Sequence, residues 1–401
     1  MVEPARVLVV NCGSSSVKFA VVDPVREVEL ARGLADRVGT DSATLRIERD
    51  ADAGSVDLGR ADHADAMAAI VAELDRGDDL AAVRAVGHRV VHGGEAFRAP
   101  VRIDDAVLER VEALTPLAPL HNPLNLVGIS AARGVMPQLP HVAVFDTAFH
   151  QTMPPEAFLY AIPRRLYEDH GIRRYGFHGT SHEWVSLEAA RRLGGGSLGL
   201  VTAHLGNGCS ATAIWDGASA DTTMGLTPLE GLVMGTRSGD VDPGALPRIG
   251  EITGRDLAGV VELLNRESGL LGLSGSSNDM RVLLDRRREG DADAKLAIDV
   301  FCHRLARAVG GLAAALPRFD GLVFTGGIGE HAPEIRRDVL TRLRGFGFDV
   351  DPSANERHGR DTGGIITTPT SRAALVIATH EELMIARHAW AVVTDTGEND
   401  G

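Results

Sequence analysis

A strand, glycine turn and strand pattern occurs twice in this 401-residue chain, and it constrains the fold more than any other feature. The first copy, "VLVVNCGSSSVKFAVVD", covers residues 7–23, and the second, "LVTAHLGNGCSATAIWDG", covers residues 200–217. With Gly13 aligned to Gly206, Ser16 falls on Cys209. A mixed-sheet unit that occurs twice predicts duplicated α/β domains that face each other across a cleft.

The first copy carries the donors of a phosphate site without being the common phosphate loop. That loop needs G-x-x-x-x-G-K-[ST] and then a helix, whereas Phe-Ala-Val-Val after Lys18 is typical of a second strand. Backbone N–H groups of a tight turn bind anions, and side-chain donors are added by Ser14, Ser15, Ser16, Lys18 and Asn207. Either hairpin alone is also explained as an ordinary turn, since Gly, Asn and Ser favour turns. The pair at matched positions favours phosphate binding.

Composition argues against several classes of function. A formal net charge of -14 disfavours sequence-independent nucleic-acid binding, which depends on Lys and Arg. No apolar stretch approaches the 18 residues of a membrane span, and the apolar run before Asn11 is too short for a signal peptide. The isolated Cys12, Cys209 and Cys302 predict neither a disulfide framework nor a zinc site. We therefore expect a cytoplasmic protein with no nucleic-acid or membrane partner.

Alternating apolar patterns predict further elements around the two copies. Strands are predicted at residues 7–10, 17–22, 28–31, 85–91, 141–145 and 321–324, and helices at 64–75, 105–114, 255–265, 291–316 and 381–393. Residues 35–59 are polar and turn-rich, which predicts a surface excursion, and "TGGIGEH" at 325–331 predicts a glycine turn. The proline-bearing stretch "HQTMPPEAF" at 150–158 marks a candidate domain boundary.

Two arginines stand among small residues that would let a guanidinium reach an anion. Arg89 lies in "GHRVVHGG" and Arg237 in "MGTRSGDVDP", and the planar fork of arginine binds carboxylate or phosphate bidentately. For Arg237 a structural ion pair with Asp240 or Asp242 is the alternative. Asp146 follows a predicted strand, where an acid suits a metal or a reacting group, or caps the next segment.

A histidine pair and a late glycine motif are less informative. His178 and His182 are four residues apart, as in the H-E-x-x-H zinc motif of a helix. The residue after His178 is Gly179 instead of Glu, and this glycine argues against a helix that begins before His178. A zinc site on a helix is therefore disfavoured. The motif "GGIGEH" is not G-x-G-x-x-G, and that fingerprint is also missing after the first strand. A nicotinamide-dependent oxidoreductase is therefore disfavoured.

Taken together, the motifs resemble the acetate kinase family from residue 7 to residue 386. "NCGSSSVK", "GHRVVHGG", "APLHNP", "FDTAFH", "YGFHGTSH", "HLGNG", "MGTRSGDVDP", "GIGE" and "EELMIAR" occur in the family's order and at family-like spacing. The family belongs to the superfamily of acetate and sugar kinases, heat-shock chaperone ATPases and actin. The resemblance implies an α/β fold of two duplicated ribonuclease-H-like domains, with mixed sheets flanked by helices and the active site in the interdomain cleft. The first domain would comprise residues 1–149 plus 382–401, and the second, with the nucleotide site and the dimer contact, residues 150–381.

The resemblance also assigns roles, position by position. The catalytic residues would be Asp146, Arg89, His178, Arg237 and Asn207. The substrate pocket would comprise Arg89, Val91, Leu120, Phe177 and Pro228. ATP would contact Ser14, Ser16, Lys18, His204, Leu205, Gly206, Asn207, Gly208, Asp279, Met280, Arg281, Gly327, Ile328, Gly329, Glu330 and His331. The metal would be Mg²⁺, with Mn²⁺ as an alternative, on Asn11 and Glu381.

The expected activity is reversible, direct in-line transfer of a phosphoryl group from ATP to acetate, giving acetyl phosphate and ADP. The resemblance implies that this kinase of small molecules is a homodimer. Because a carboxylic acid with a pKa near roughly 4 is ionised at neutral pH, the reaction needs no general base, and Asp146 is better interpreted as an organiser of the metal or of the geometry. Two alternatives stay open. One is a propionate or other short-chain acyl kinase, and the other is a non-catalytic, actin-like nucleotide-gated module.

Overall fold

The computed structural model of this chain describes residues 5–49, 52–77, 79–119 and 121–395. Contacts within the chain divide it into two units, Met1–Phe149 with His380–Gly401, and His150–Thr379. Each unit is built around its own β-sheet. The second unit ends at Thr379 because the next residues begin a helix that contacts strands of the first sheet.

The first unit contains a mixed sheet, of which eight strands lie among the described residues. In chain order they are β1 (Arg6–Cys12), β2 (Ser16–Asp23), β3 (Val28–Asp36), β4 (Ala43–Arg49), β5 (Asp52–Gly59), β6 (Val83–Val90), β7 (Val101–Arg102) and β8 (His141–Phe145). Their order across the sheet is β5-β4-β3-β2-β1-β6-β8-β7. β1 is antiparallel to β2 and parallel to β6, and β8 continues the parallel part. The carboxyl ends of β1, β6 and β8 therefore share one edge, where ligands bind in open α/β sheets.

The surface excursion predicted for residues 35–59 is wrong, since β4 and β5 extend the first sheet. In β4 Leu45 and Ile47 are buried, whereas Arg46 and Glu48 between and after them are exposed. A period of two is typical of a strand with one solvated face. The charged side chains of that face gave the segment its polar composition and concealed the strand.

Helices flank both sheets. In chain order the helices of the described residues are α1 (His63–Arg76), α2 (Asp105–Ala113), α3 (Asn122–Val135), α4 (Pro155–Phe158), α5 (Arg165–His170), α6 (Gly179–Arg192), α7 (Ala245–Thr253), α8 (Leu257–Arg266), α9 (Gly269–Ser274), α10 (Met280–Arg288), α11 (Ala292–Ala313), α12 (Gly326–His331), α13 (Pro333–Arg342), α14 (Pro352–Glu356) and α15 (Glu381–Thr394). α15 belongs to the first unit and contacts β1, β2, β6 and β8. Over the described ranges, none of these helices has the length and apolar character needed to cross a membrane.

Apolar side chains of α1 anchor the first strand. Met67, Ile70 and Leu74 recur at helical spacing, are fully buried, and belong to the same core cluster as Leu8 of β1. Burying a side chain of this kind contributes about 1.5–3 kcal/mol. This packing fixes β1, which carries Asn11 near its carboxyl end.

The second unit contains a five-stranded sheet within the described residues. Its strands are β9 (Gly199–Leu205), β10 (Cys209–Trp215), β11 (Ala218–Thr222), β12 (Gly321–Thr325) and β13 (Ala373–Val376), in the order β11-β10-β9-β12-β13. β9, β10 and β11 are antiparallel neighbours, and β12 and β13 add parallel strands. The same arrangement occurs in the first unit as β3-β2-β1-β6-β8. The predicted fold class, α/β with two mixed sheets flanked by helices in a duplicated arrangement, is therefore confirmed.

The glycine turn predicted at the end of β12 is wrong in one respect, because Gly326–His331 form the short helix α12. Gly326 has a φ of 75°, and a Cβ there would lie 2.8 Å from the carbonyl oxygen of Leu205. Only glycine fits this position without strain. The glycine thus permits an abrupt change from strand to helix next to β9.

Candidate active site

The β1–β2 hairpin brings several predicted phosphate-site residues together. Asn11 lies directly opposite Lys18 in the strand ladder. The N–H of Gly13 donates to the carbonyl of Ser16 at 2.8 Å and closes the turn. Ser14 and Lys18 are exposed, whereas Asn11 and Ser16 are partly buried. This end of the hairpin can therefore offer hydroxyl and ammonium donors to an anion.

Arg89 and Asp146 form a bidentate ion pair at the carboxyl edge of the first sheet. Nε of Arg89 donates to Oδ1 of Asp146 at 2.9 Å, and Nη2 donates to Oδ2 at 2.6 Å. Asp146 is only 1% exposed, and its N–H donates to the carbonyl of Val90 at 3.0 Å. Burial alone would lower the pKa of Arg89, but the carboxylates of Asp146 and Glu381 raise it overall. Arg89 is therefore a permanent cation with one edge fixed by Asp146.

Glu381 begins α15 and is the acid predicted to bind a metal together with Asn11. It interacts electrostatically with Arg89, Asp146 and Lys18. Burial raises the pKa of Glu381 above its ordinary value, although the two cations act in the opposite direction. Within the described ranges no group of three or more His, Cys, Asp or Glu is placed to hold a metal ion. A metal ion at this position would therefore have few carboxylate, imidazole or thiolate ligands among the described residues.

The residues predicted to form the substrate pocket fall in both units. In the first unit Val91 follows β6 and is partly buried. Leu120 lies outside the described residues. In the second unit Phe177 is buried and Pro228 is partly buried. Their common contact with a substrate stays a prediction.

The hairpin of the second unit is one residue shorter than that of the first. Four residues (13–16) separate the last paired residues of β1 and β2, whereas three (206–208) separate those of β9 and β10. The constant alignment of the two copies is therefore wrong beyond the turn. Ser210, which lies opposite His204, takes the place of Lys18. The second hairpin thus has a hydroxyl where the first has an ammonium.

Asn207 is at the tip of the second hairpin and is held by its surroundings. Its Oδ1 accepts from Nδ2 of Asn278 at 3.2 Å, and its carbonyl accepts from the N–H of Gly235 at 3.0 Å. A Cβ on Gly235 would collide with the side-chain oxygen of Asn207. Glycine at this position lets the loop that carries Arg237 lie against the turn.

His178 precedes α6 in a strained backbone conformation. Its φ of 58° and ψ of 29° lie in the left-handed region, which few non-glycine residues adopt and which is often found at functional sites. A Cβ on Gly208 would lie 3.4 Å from Nε2 of His178 and 3.8 Å from Nη1 of Arg237. The imidazole and the guanidinium therefore flank the same glycine of the turn.

Arg237 is a partly buried cation. Its Nη1 donates to the carbonyl of Pro228 at 3.3 Å, and burial lowers the pKa of Arg237. The alternative ion pair is not formed, because the carboxylates of Asp240 and Asp242 accept from nearby backbone N–H groups instead. No carboxylate elsewhere in the described ranges forms a salt bridge with it. A desolvated cation without an anionic partner favours binding of an anion.

His178 and His204 stack face to face beside the same turn. Their ring centroids are 4.3 Å apart and the planes are inclined by 24°. Nδ1 of His178 lies 2.8 Å from Oγ of Ser210, and Nδ1 of His204 lies 2.8 Å from Oγ of Ser181. A Cβ on Gly206 would be 3.9 Å from Nε2 of His204. Both rings therefore direct their Nε2 side toward residues 206–208.

A cavity of about 470 Å³ adjoins the turn in the second unit. Its size is that of a small-molecule site. Residues predicted to contact the nucleotide line most of it, namely Gly206, Asn207, Asp279, Met280, Arg281, Gly327, Ile328 and His331. Three further lining residues were not predicted from the sequence, namely Asn278, Leu284 and Ala332. Leu284 could have been found, because it follows Met280 by one helical turn on α10.

The other predicted nucleotide residues of the second unit have different surroundings. Oε1 of Glu330 accepts from the N–H of Gly326 at 2.9 Å and from the N–H of Thr379 at 3.0 Å. Leu205 and Gly329 are buried. Glu330 therefore stabilises the backbone after β12, and its contact with a nucleotide stays a prediction.

Comparison with known proteins shows similarity over both units. The model of the Acetokinase family matches residues 6–387. An acetate kinase of Deinococcus radiodurans is 52% identical over 393 residues, which are 97% of this chain and 98% of that protein. A propionate kinase of Yersinia enterocolitica is 52% identical over 386 residues, or 96% and 94% of the two chains. The crystal structure of a propionate kinase from Francisella tularensis has a TM-score of 0.92 at 44% identity and covers 96% of this chain and 98% of its own.

Proposed function

We propose that this chain, which belongs to the acetokinase family, transfers a phosphoryl group from ATP to acetate and forms acetyl phosphate and ADP. The observation that carries the proposal is Arg89, a cation with one edge fixed by the buried Asp146. An arginine held in this way can present its remaining N–H donors to a second carboxylate in a fixed plane. We assign the carboxylate of the substrate to Arg89.

Asp146 then positions Arg89 and takes no proton. Both of its oxygens accept hydrogen bonds from Arg89. An acid with a pKa near roughly 4 is ionised at neutral pH, so the nucleophile requires no base. The catalytic difficulty is to bring one anion against another, which calls for positioning and electrostatic stabilisation.

In the second unit we assign the moving phosphoryl group to His178, Asn207 and Arg237. The imidazole of His178 and the guanidinium of Arg237 flank Gly208. Asn207 lies at the tip of the same turn. Donors fixed before the reaction stabilise negative charge that develops in the transition state. We assign the nucleotide to the cavity of about 470 Å³ that adjoins this turn.

Magnesium fits the oxygen donors of the first unit. The amide oxygen of Asn11 and the carboxylate of Glu381 would hold the ion. Mg²⁺ commonly binds one or two protein carboxylates and takes its remaining ligands from water and substrate phosphates, which agrees with the few acidic ligands here. When bound, the ion would neutralise phosphate charge. Mn²⁺ prefers similar ligands and is the alternative metal.

Two further parts of the assignment rest on the sequence alone, one on the family resemblance and the other on composition. These are the homodimer and the cytoplasmic location, and both stay predictions. Light scattering on the purified chain would test the first, and fractionation of the source cells would test the second.

The function is tested by trapping the acyl phosphate with hydroxylamine. We expect hydroxamate to form with acetate only when both ATP and a divalent cation are present. Propionate and butyrate are run in parallel as competing acids. ATP consumption without hydroxamate from any of the three acids would contradict the proposal and would instead support a nucleotide-gated module.

Propionate is the second candidate substrate, because relatives and solved structures named propionate kinase are as similar to this chain as those named acetate kinase. Changing Val91→Ala should widen the predicted pocket and raise the ratio of kcat/KM for propionate to that for acetate by about tenfold, since one methylene in an apolar pocket contributes about 1–3 kcal/mol. Val101→Ala, in β7, is the control and should leave the ratio unchanged. An unchanged ratio in the Val91 variant would show that Val91 does not line the substrate pocket.

Lys18 is predicted to serve the nucleotide. Lys18→Ala should raise the KM for ATP by about tenfold and the KM for acetate much less, because loss of one charge-assisted hydrogen bond costs about 1.5–3 kcal/mol. Lys295→Ala is a matched control, since Lys295 is the other lysine of the sequence and pairs with Asp299 at 2.6 Å. A larger rise in the KM for acetate than for ATP would contradict the assignment.

A further inference from the structure

A buried chain of hydrogen bonds lies behind the ring of His178. Nδ1 of His178 lies 2.8 Å from Oγ of Ser210, which lies 2.8 Å from Nε2 of His182. Nδ1 of His182 lies 2.7 Å from Oγ1 of Thr202. A hydroxyl can donate one hydrogen bond and also accept. A neutral imidazole donates from one of its nitrogens and accepts at the other. The far end of the chain therefore decides which nitrogen of His178 carries the hydrogen.

His182 is neutral, which makes the chain directional. It is completely buried, and burial together with His150 and His204 lowers its pKa well below the ordinary value. One of its nitrogens must then donate while the other accepts. Its ring therefore transmits the direction of the bond at Thr202 to the bond at Ser210.

Thr202 sets that direction. Its side chain is completely buried, and in the part of the chain that the structure describes its hydroxyl has Nδ1 of His182 as its hydrogen-bond partner. If Thr202 accepted, its own hydrogen would be buried without an acceptor, and unsatisfied buried donors are rarer and costlier than unfilled lone pairs. Thr202 therefore donates to His182, His182 donates from Nε2 to Ser210, and Ser210 donates to Nδ1 of His178. The hydrogen of a neutral His178 is then on Nε2.

A second chain of hydrogen bonds acts on His204 in the same way. Oγ1 of Thr379 donates to Oγ of Ser181 at 2.9 Å. Ser181 is completely buried, and its hydroxyl lies 2.8 Å from Nδ1 of His204. Because Ser181 accepts from Thr379, its own hydrogen is available to Nδ1. The hydrogen of a neutral His204 is then also on Nε2.

The surrounding charges favour neutral rings. Two imidazolium ions stacked at 4.3 Å would repel each other, and the guanidinium of Arg237 flanks the same glycine as His178. His182 approaches both rings at 6.5 Å and is itself neutral. Burial raises the pKa of the neighbouring Cys209 thiol to about 12, so it supplies no compensating anion. Neutral rings avoid this repulsion within the stack.

We propose that Thr202, His182 and Ser210 position His178, and that Thr379 and Ser181 position His204, as neutral donors with hydrogen on Nε2. Both Nε2 groups face residues 206–208, so their ligand is an oxygen of a phosphoryl group bound at that turn. This role in the reaction rests on the proposed function. The hydrogen arrangement belongs to the resting protein and does not depend on it.

Nitrogen-15 spectra of the full chain with labelled histidine test the arrangement directly. Long-range proton–nitrogen correlations near neutral pH distinguish an imidazolium from each of the two neutral forms. We expect the neutral form with hydrogen on Nε2 for His178 and His204, with signals assigned from their loss in His178→Asn and His204→Gln. An imidazolium or an Nδ1–H form at either ring would overturn the proposal. The spectra need no substrate, so this outcome is separate from failure of the hydroxamate assay.

Ser210→Ala tests whether the chain of hydrogen bonds behind His178 matters for turnover. We expect kcat to fall about tenfold to a hundredfold, the loss seen when a hydrogen-bond partner of a metal-binding histidine is removed, with KM for ATP and acetate within about threefold of wild type. In the same variant the His178 signals should report a mixture of neutral forms. Ser210→Thr keeps the hydroxyl and should restore most of kcat and the Nε2–H form.

Thr212→Val is the matched control. Thr212 lies two residues further along β10, is also fully buried, and its hydroxyl lies 2.8 Å from that of Thr222 rather than from a histidine. It should leave kcat and the His178 spectrum unchanged. Wild-type kcat and an unchanged His178 spectrum in Ser210→Ala would overturn the proposal. An equal loss of kcat in Thr212→Val would overturn it as well, because any buried hydroxyl of the strand would then have the same effect.

Discussion

Changing Arg89 to alanine should lower acyl phosphate formation at saturating acetate and ATP by about a thousandfold. The variant loses both the cation assigned to the substrate carboxylate and the orientation that Asp146 imposes on it, and fixed electrostatic donors of this kind contribute factors of about 10²–10³. Hydroxamate initial rates measure the effect. Arg89→Lys should recover little of the rate, because an ammonium cannot make two parallel bonds to Asp146. A rate within tenfold of wild type in the alanine variant would contradict the assignment of the substrate carboxylate to Arg89.

The same change should also destabilise the chain, which the sequence alone did not indicate. Asp146 is 1% exposed, and without Arg89 its carboxylate would be a buried charge that has lost its bidentate partner. Removal of one member of a buried ion pair typically costs about 3–5 kcal/mol in the free energy of unfolding. The double variant Arg89→Ala with Asp146→Asn should regain much of that stability in urea titrations but none of the activity. Equal instability of the single and double variants would show that the pair is not the cause.

Arg237→Ala should lower kcat by about a hundredfold to a thousandfold with almost no effect on stability. Its loss removes a preorganised cation from the site assigned to the phosphoryl group, whereas in the folded protein the guanidinium makes one long hydrogen bond to a backbone carbonyl. Hydroxamate rates and urea midpoints measure the two effects on the same samples.

Arg304→Ala is the matched control for Arg237. Arg304 also donates to a single backbone carbonyl, that of Asp240, at 2.9 Å. It should leave the rate unchanged and the midpoint close to wild type. A near-normal kcat in Arg237→Ala, or a loss of activity that follows a loss of stability, would contradict the role assigned to Arg237.

The sequence predicted the elements whose signal is local. β8 occupies residues 141–145 as expected, because five consecutive buried residues leave a strong strand pattern. The C-terminal helix begins at Glu381 as expected, after a break in the apolar pattern. The acid after β8 was singled out from its position alone, and its bidentate pair with Arg89 agrees with the interpretation of Asp146 as an organiser.

Other features depend on contacts between distant residues and leave no local signal. Glu330 accepts from Thr379, which is 49 residues further along the chain. The role of Ser210 could not be predicted from the alignment of the two copies, because the shorter second turn shifts β10 by one position relative to β2. His182 was considered only as a candidate zinc ligand next to His178, since its bonds to Thr202 and Ser210 exist only after β9 and β10 have paired.

The return of the chain to its first unit fixes the order in which the protein can be completed during synthesis. α15 lies so close to β6 that a Cβ on Gly87 would be 3.0 Å from a side-chain carbon of Ile385. At a ribosomal rate of about 5–20 residues per second, the intervening residues 150–379 take roughly 10–50 seconds to make. During that time the face of β6 that receives α15 lacks this helix, and Glu381 has not yet been made. The unit that begins first is therefore the last to be finished.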